Sequence, residues 1–210
     1  MKEIGEKIHQ EFEIRTKERD QALLQARRLT RHCANAIRAV HRSEDEEAQE
    51  HLRQAQELAA TLKTNLANPF PELYFAGYTQ DAIKEYAEAS ITYALVHDQP
   101  LPLPDQLGIE YATYLNGLAE VPGELRRRCL DILRQGYSKE AERLLACMDE
   151  IYALLVTIDY PDAITNGLRR QTYLVRGIVE RTRGDLTVSL REDQLRDRLE
   201  QLMNRLPDFK

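Results

Sequence analysis

The chain has 210 residues, 42% of them hydrophobic and 30% charged, with a formal net charge of −6. That length buries a sizeable core. No apolar run approaches the roughly 20 residues of a membrane span, and the acidic balance excludes a uniformly basic nucleic-acid coat while leaving room for a local basic surface.

The opening residues, Met1 to Lys7, lack the apolar core of a secretory signal. Cys33, Cys129 and Cys147 are too scattered for a zinc knuckle and odd in number for a disulfide framework, so reduced thiols in the cytoplasm are expected. A helical apolar period runs from about Ile4 to His41 through Ile8, Phe12, Leu23, Ala26, Leu29, Cys33, Ile37 and Val40. Arg27, Arg28, Arg31, Arg38 and Arg42 cluster toward its end, and Glu44, Asp45, Glu46 and Glu47 follow at once. Matching of charge to helix dipoles accounts for the acidic run. Ser43 with Glu46 reads as a capping box opening a second helix to about Asn65, antiparallel to the first. Pro69 and Pro71 break the pattern, Gly77 closes a short aromatic stretch, and Thr79 caps a helix that continues to about His97.

Pro100-Leu101-Pro102-Leu103-Pro104 cannot be helical, and its leucines suggest a segment packed against a helical body rather than a linker. A helix from about Gln106 to Gln135 contains Pro122, which predicts a kink near Leu118, and Gly136 ends it. Ser138 opens a helix from Lys139 to Ile158, Asp159-Tyr160-Pro161 is a turn, and a last helix runs from about Leu168 to Leu206, interrupted near Gly184. No segment alternates with period two, and there is no Gly-rich phosphate loop. The expected fold is all-α, one domain over residues 1–210.

Two acidic pairs stand out. Glu85 and Glu88 share a side of the third long helix among Tyr86, Ala87, Ala89 and Ile91, a poor setting for an ordinary solvated face. Glu120 and Glu124 lie four apart, with Pro122 between them and Gly123 permitting close approach of another helix. If the faces meet, four carboxylates converge, and one or two divalent cations are the natural compensation. Mg²⁺ or Mn²⁺ suits oxygen ligands alone, and hydrolysis at phosphorus is the chemistry such a site supports. Against this stands chance pairing on an acid-rich helical chain, with Glu124 bridging to Arg127 or Arg128.

Lys84-Glu85-Tyr86-Ala87-Glu88-Ala89 and Leu115-Asn116-Gly117-Leu118-Ala119-Glu120-Val121-Pro122-Gly123-Glu124-Leu125 resemble the corresponding helices of the translin superfamily, more closely translin-associated factor X than translin itself. The resemblance extends to Ala36–Arg42, to Leu168-Arg169-Arg170 and to the stretch from Arg176 to Leu186. It implies about seven helices, assembled into a hollow octamer that encloses RNA, here a homo-octamer. It further implies an endoribonuclease for single-stranded RNA, with single-stranded DNA a further ligand. The family's catalytic acids match Glu85, Glu88, Glu120 and Glu124, which would hold Mg²⁺ or Mn²⁺. Glu120 departs from the pattern, because better-known members carry Asp there.

Arg127 and Arg128, one turn beyond Glu124, could grip a phosphate or form salt bridges along the helix. Arg27, Arg28 and Arg31 are further RNA-binding candidates. Tyr111 and Tyr114 could stack bases or belong to the core. His32, His41 and His97 read as structural or surface residues, and Arg183 as an ion pair with Glu180 or Asp185 in a subunit contact. Two other readings compete: a non-catalytic nucleic-acid-binding ring, and an all-α nucleotide pyrophosphohydrolase. A di-iron oxidase is disfavoured, since such a site needs Glu-x-x-His on two helices and the chain has it once, at Glu6-Lys7-Ile8-His9.

Overall fold

Helix α1 (Lys2–Arg42) is 41 residues long, about 61 Å at the usual rise, whereas its antiparallel partner α2 (Asp45–Leu66) has only 22. The mismatch decides which half of α1 is core. From Ala22 onward its apolar stripe, Ala22, Ala26, Leu29, Cys33, Ile37 and Val40, is buried. Ile8 and Phe12, which continue the same period, are 47% and 63% exposed because α2 does not reach them. In this computed structural model residues 1–205 are described.

The described residues contain nine helices and no strand. After α1 and α2 come α3 (Pro71–Tyr74), α4 (Gly77–Val96), α5 (Pro104–Leu107), α6 (Tyr111–Leu133), α7 (Lys139–Thr157), α8 (Asp162–Thr165) and α9 (Leu168–Arg205). Six are long and three are single turns. The expected end of the last helix at Leu206 lies outside the described residues.

The chain divides into two compact units, Met1–Leu118 and the remainder from Ala119. In the first, α1 packs on both α2 and α4, and α2 also meets α4. The α2 and α4 ends are tied by polar contacts: the Tyr93 hydroxyl donates to Asp45 at 2.8 Å, Gln49 donates to that hydroxyl at 2.7 Å, and His97 stacks on the Tyr93 ring. The first unit also holds the start of α6, where Thr113 donates to Gln80 of α4 at 2.5 Å. The proline segment is tied to α6 by a bond from the Tyr114 hydroxyl to the Pro102 carbonyl at 2.9 Å. Its leucines do not pack as expected: Leu101 and Leu103 are exposed.

In the second unit α7 packs on α9. Arg126 of α6 pairs with Asp185 at 2.7 Å and donates to Thr182 at 3.1 Å. Arg183 grips both carboxylate oxygens of Asp149 at 2.5 and 2.6 Å. This corrects the expected pairing of Arg183 with Glu180 or Asp185: Glu180 pairs with Arg176, and Asp185 with Arg126. Burial of Met148, Ile151 and Leu155 on α7, and of Val175, Val179 and Leu186 on α9, follows the helical period.

Several local expectations are overturned. Ser43 is not an N-cap but the left-handed C-cap of α1 (φ 60°), with Glu44 N–H bonded back to Ala39, so no capping box forms. Helix α4 starts at Gly77 rather than after Thr79, whose buried hydroxyl donates to Leu73. The helix expected from Gln106 is cut by Gly108 at φ 69°, leaving α5 as a single turn. Helix α9 passes through Gly184 without a break. Ser138 does cap α7, its Oγ accepting from the Glu140 N–H at 3.2 Å.

Candidate functional site

Helix α4 is an apolar element nearly all round: Ala82, Ile83, Tyr86, Ala87, Ala89 and Ile91 are all buried. Asp81, in its second turn, is exposed, but Glu85 and Glu88 lie further along among these buried neighbours. Glu88 is only 8% exposed and Glu85 is half-buried, with Lys84 Nζ at 3.6 Å from the Glu85 carboxylate. The Cys33 thiol on α1, fully buried, is pushed up by that burial and further by the negative field of Glu85 and Glu88.

Helix α6 reaches α4 at Gly117. A Cβ built there would stand 2.8 Å from both the Ala87 Cβ and the Lys84 carbonyl oxygen, and 3.2 Å from the Glu88 nitrogen. Only glycine allows the two helices so close. Glu120 follows Gly117 by three residues on the same continuous helix, hence on the same side. As a result Glu85, Glu88 and Glu120 each offer a carboxylate oxygen within 4.8 Å of the others. Gly123, expected to permit the close approach, is exposed, and a methyl added there would have nothing within 4 Å; Gly117 takes that role instead.

Each ionised pair at that spacing repels by on the order of 3 kcal/mol at an effective dielectric of 20. The donor set is oxygen only. Its spread is one that a hard cation with ligands at about 2.0–2.6 Å spans after small side-chain rotations. A cluster of three acidic residues is therefore able to bind a metal. Glu124, the fourth acid singled out in the sequence, lies one turn further along α6, half-buried, and is not one of the three.

Of the cations, Arg127 is exposed and Arg128 half-buried, while Arg27, Arg28 and Arg31 are all exposed on α1. Tyr114 is 7% exposed and hydrogen-bonded to backbone, so it belongs to the core; Tyr111 is 66% exposed. Gly117 is not among the contact points expected from the sequence, although a glycine one turn before Glu120 in an apolar helical pattern is the signal that points to it.

No family model matches the chain. It is 34% identical over 186 residues to the uncharacterized protein MJ0175 of Methanocaldococcus jannaschii, covering 88% of this chain and 82% of that one. The crystal structure of AfC3PO is similar with a TM-score of 0.80 at 32% identity, over 88% of this chain and 95% of the other. The AfC3PO–duplex RNA complex gives 0.79 at 31% identity, over the same 88% and 95%. The crystal structure of apo-NeC3PO gives 0.80 over 88% of this chain and 96% of the other, but at 20% identity it supports the fold alone. With its all-α fold and these relatives, the chain belongs to the translin superfamily, in the company of the C3PO proteins.

Proposed function

We propose that this chain is a metal-dependent endoribonuclease of the catalytic, factor X-like type, cutting single-stranded RNA within a hollow homo-octamer. The observation that carries the reading is the convergence of Glu85, Glu88 and Glu120 from α4 and α6, one of them buried, at a contact that a glycine makes possible. A chance run of surface acids would not be seated in the apolar flank of a core helix.

Glu85, Glu88 and Glu120 would hold Mg²⁺ or Mn²⁺, with Glu124, the next acid along α6, completing the set. Once bound, such an ion supplies Lewis-acid stabilisation of charge at phosphorus and acidifies a water. The remaining work falls to the chain. One of the four glutamates accepts the proton of the attacking water. Lys84 offsets part of the carboxylate charge from 3.6 Å. Arg127, exposed one turn beyond Glu124, and Arg128 hold a phosphate of the strand, and exposed Arg27, Arg28 and Arg31 on α1 are further cations for RNA.

The test is incubation of the purified chain with labelled single-stranded and duplex RNA, each with Mg²⁺, Mn²⁺ or chelator, together with a mass measurement of the assembly. The duplex arm is included because AfC3PO forms a complex with duplex RNA. Metal-dependent internal cleavage of the single strand, lost in Glu85→Ala and Glu124→Ala while binding persists, is the expected result. Binding without cleavage in Mn²⁺ would favour a non-catalytic ring, and release of pyrophosphate from nucleoside triphosphates would favour a pyrophosphohydrolase.

A further inference from the structure

Helices α1 and α2 bring together two imidazoles that the carboxylate chemistry does not use. His32 Nδ1 lies 3.1 Å from His51 Nδ1, the rings tilted by 60° with centroids 5.2 Å apart, and both side chains are half-buried. Two like nitrogens at that distance cannot both present lone pairs; something positive has to lie between them, a proton on one ring or a cation.

The surroundings select the tautomer. On the far side of His51, Nε2 is 3.7 Å from the Glu47 carboxylate, which favours the proton on Nε2 and leaves Nδ1 as the lone-pair nitrogen. A carboxylate behind the distal nitrogen is the usual support of a metal-bound imidazole, and here it stands at ion-pair rather than hydrogen-bond distance. Burial pushes the His32 pKa down, and His51, Arg28 and Arg31 push it the same way against Glu50, so the ring is neutral near pH 7. The four charged neighbours, Arg28 and Arg31 against Glu47 and Glu50, cancel in sign.

We propose that His32 and His51 form a binding site for a borderline transition cation, Zn²⁺, Ni²⁺ or Cu²⁺, that clamps α1 to α2. With metal–nitrogen bonds of about 2.0–2.1 Å, the 3.1 Å separation corresponds to an N–metal–N angle of roughly 100°, between the square-planar and tetrahedral values. Binding moves the single proton that lies between the two Nδ1 atoms to His32 Nε2 by exchange with solvent, so both rings stay neutral and no net proton is released; water completes the coordination. Soft-to-borderline nitrogen ligands distinguish this site from the hard oxygen cluster on α4 and α6.

The experiment uses the full chain in excess Mg²⁺, titrated with Zn²⁺ or Ni²⁺ against a chromophoric chelator, with thermal unfolding followed in parallel. One equivalent should bind and raise Tm. That equivalent should disappear in His51→Gln and in His32→Gln, weaken about tenfold in Glu47→Gln, and persist in Glu88→Gln. Circular dichroism confirms that each variant is helical, and His51→Gln serves should His32→Gln fail to fold. Unchanged stoichiometry and affinity in His51→Gln overturn the proposal. So does loss of the bound equivalent in Glu88→Gln alone, since the ion would then sit among the carboxylates.

Discussion

Replacing Gly117 by alanine tests the construction of the carboxylate site without touching a carboxylate. The new methyl would meet the Ala87 Cβ and the Lys84 carbonyl at 2.8 Å, neither of which is the movable tip of a flexible side chain. Restoring ordinary contact requires α6 to retreat from α4 by about 0.6 Å, and overpacking of this kind costs about 1–3 kcal/mol. The better helix propensity of alanine returns about 1 kcal/mol, leaving a net loss of up to about 2 kcal/mol, or up to roughly 8 °C in Tm for a chain of this size. The functional effect should be larger. Glu120 rides one turn from Gly117, and a displacement approaching 1 Å at a reacting centre costs up to about 100-fold in rate. The assay pairs RNA cleavage in Mn²⁺ with Mn²⁺ binding followed by electron paramagnetic resonance. Gly123→Ala is the control: nothing lies within 4 Å of its new methyl, so stability should hold or rise and activity should be unchanged. If Gly117→Ala cut RNA at the parental rate, or if the two variants behaved alike, the close approach would not be what sets the site.

Three further outcomes are expected. Glu88→Gln keeps the shape of the side chain and removes its charge, so it should abolish Mn²⁺-dependent cleavage while leaving Tm equal to or above that of the parent in chelator, where repulsion among the three carboxylates is relieved; a fall in Tm in chelator would argue against that repulsion. Arg126→Met should cost about 1–2 kcal/mol through loss of the Asp185 pair and the Thr182 bond, with binding of RNA retained, whereas Arg127→Met should leave Tm within about 1 °C and weaken RNA binding with a shallower salt dependence. Thiol titration at pH 8 should show one readily modified cysteine, half-buried Cys147, because Cys33 and Cys129 are buried; burial raises both thiols, Cys129 to about 12, so at pH 8 neither carries appreciable thiolate, and raising the pH toward 9 should not expose them before unfolding.

The helices were legible wherever one residue had one task. Ser138 has only to cap α7, and it does so. Ser43 had two tasks on offer, and the α1 C-terminus claimed it, because Glu44 could open α2 with Asp45, Glu46 and Glu47 answering the dipole in place of a side-chain cap. Glycines were the least legible. Gly108 breaks a helix because its backbone is left-handed, whereas Gly184 sits in α9 at the cost of about 1 kcal/mol spread over 38 residues. Gly117, pressed on α4, and Gly123, in open space, lie on one helix, and the only local sign that separates them is the apolar run in which Gly117 stands one turn before Glu120. The acids were legible for the opposite reason. A charge inside an apolar run is an anomaly of the chain itself, visible before any partner helix is known, so Glu85 and Glu88 declared their side at once. How far along α6 the meeting extends depends on where that helix touches α4, and the touch is made possible by an atom that glycine lacks. Hence spacing could nominate four glutamates, while packing chose which three stand together.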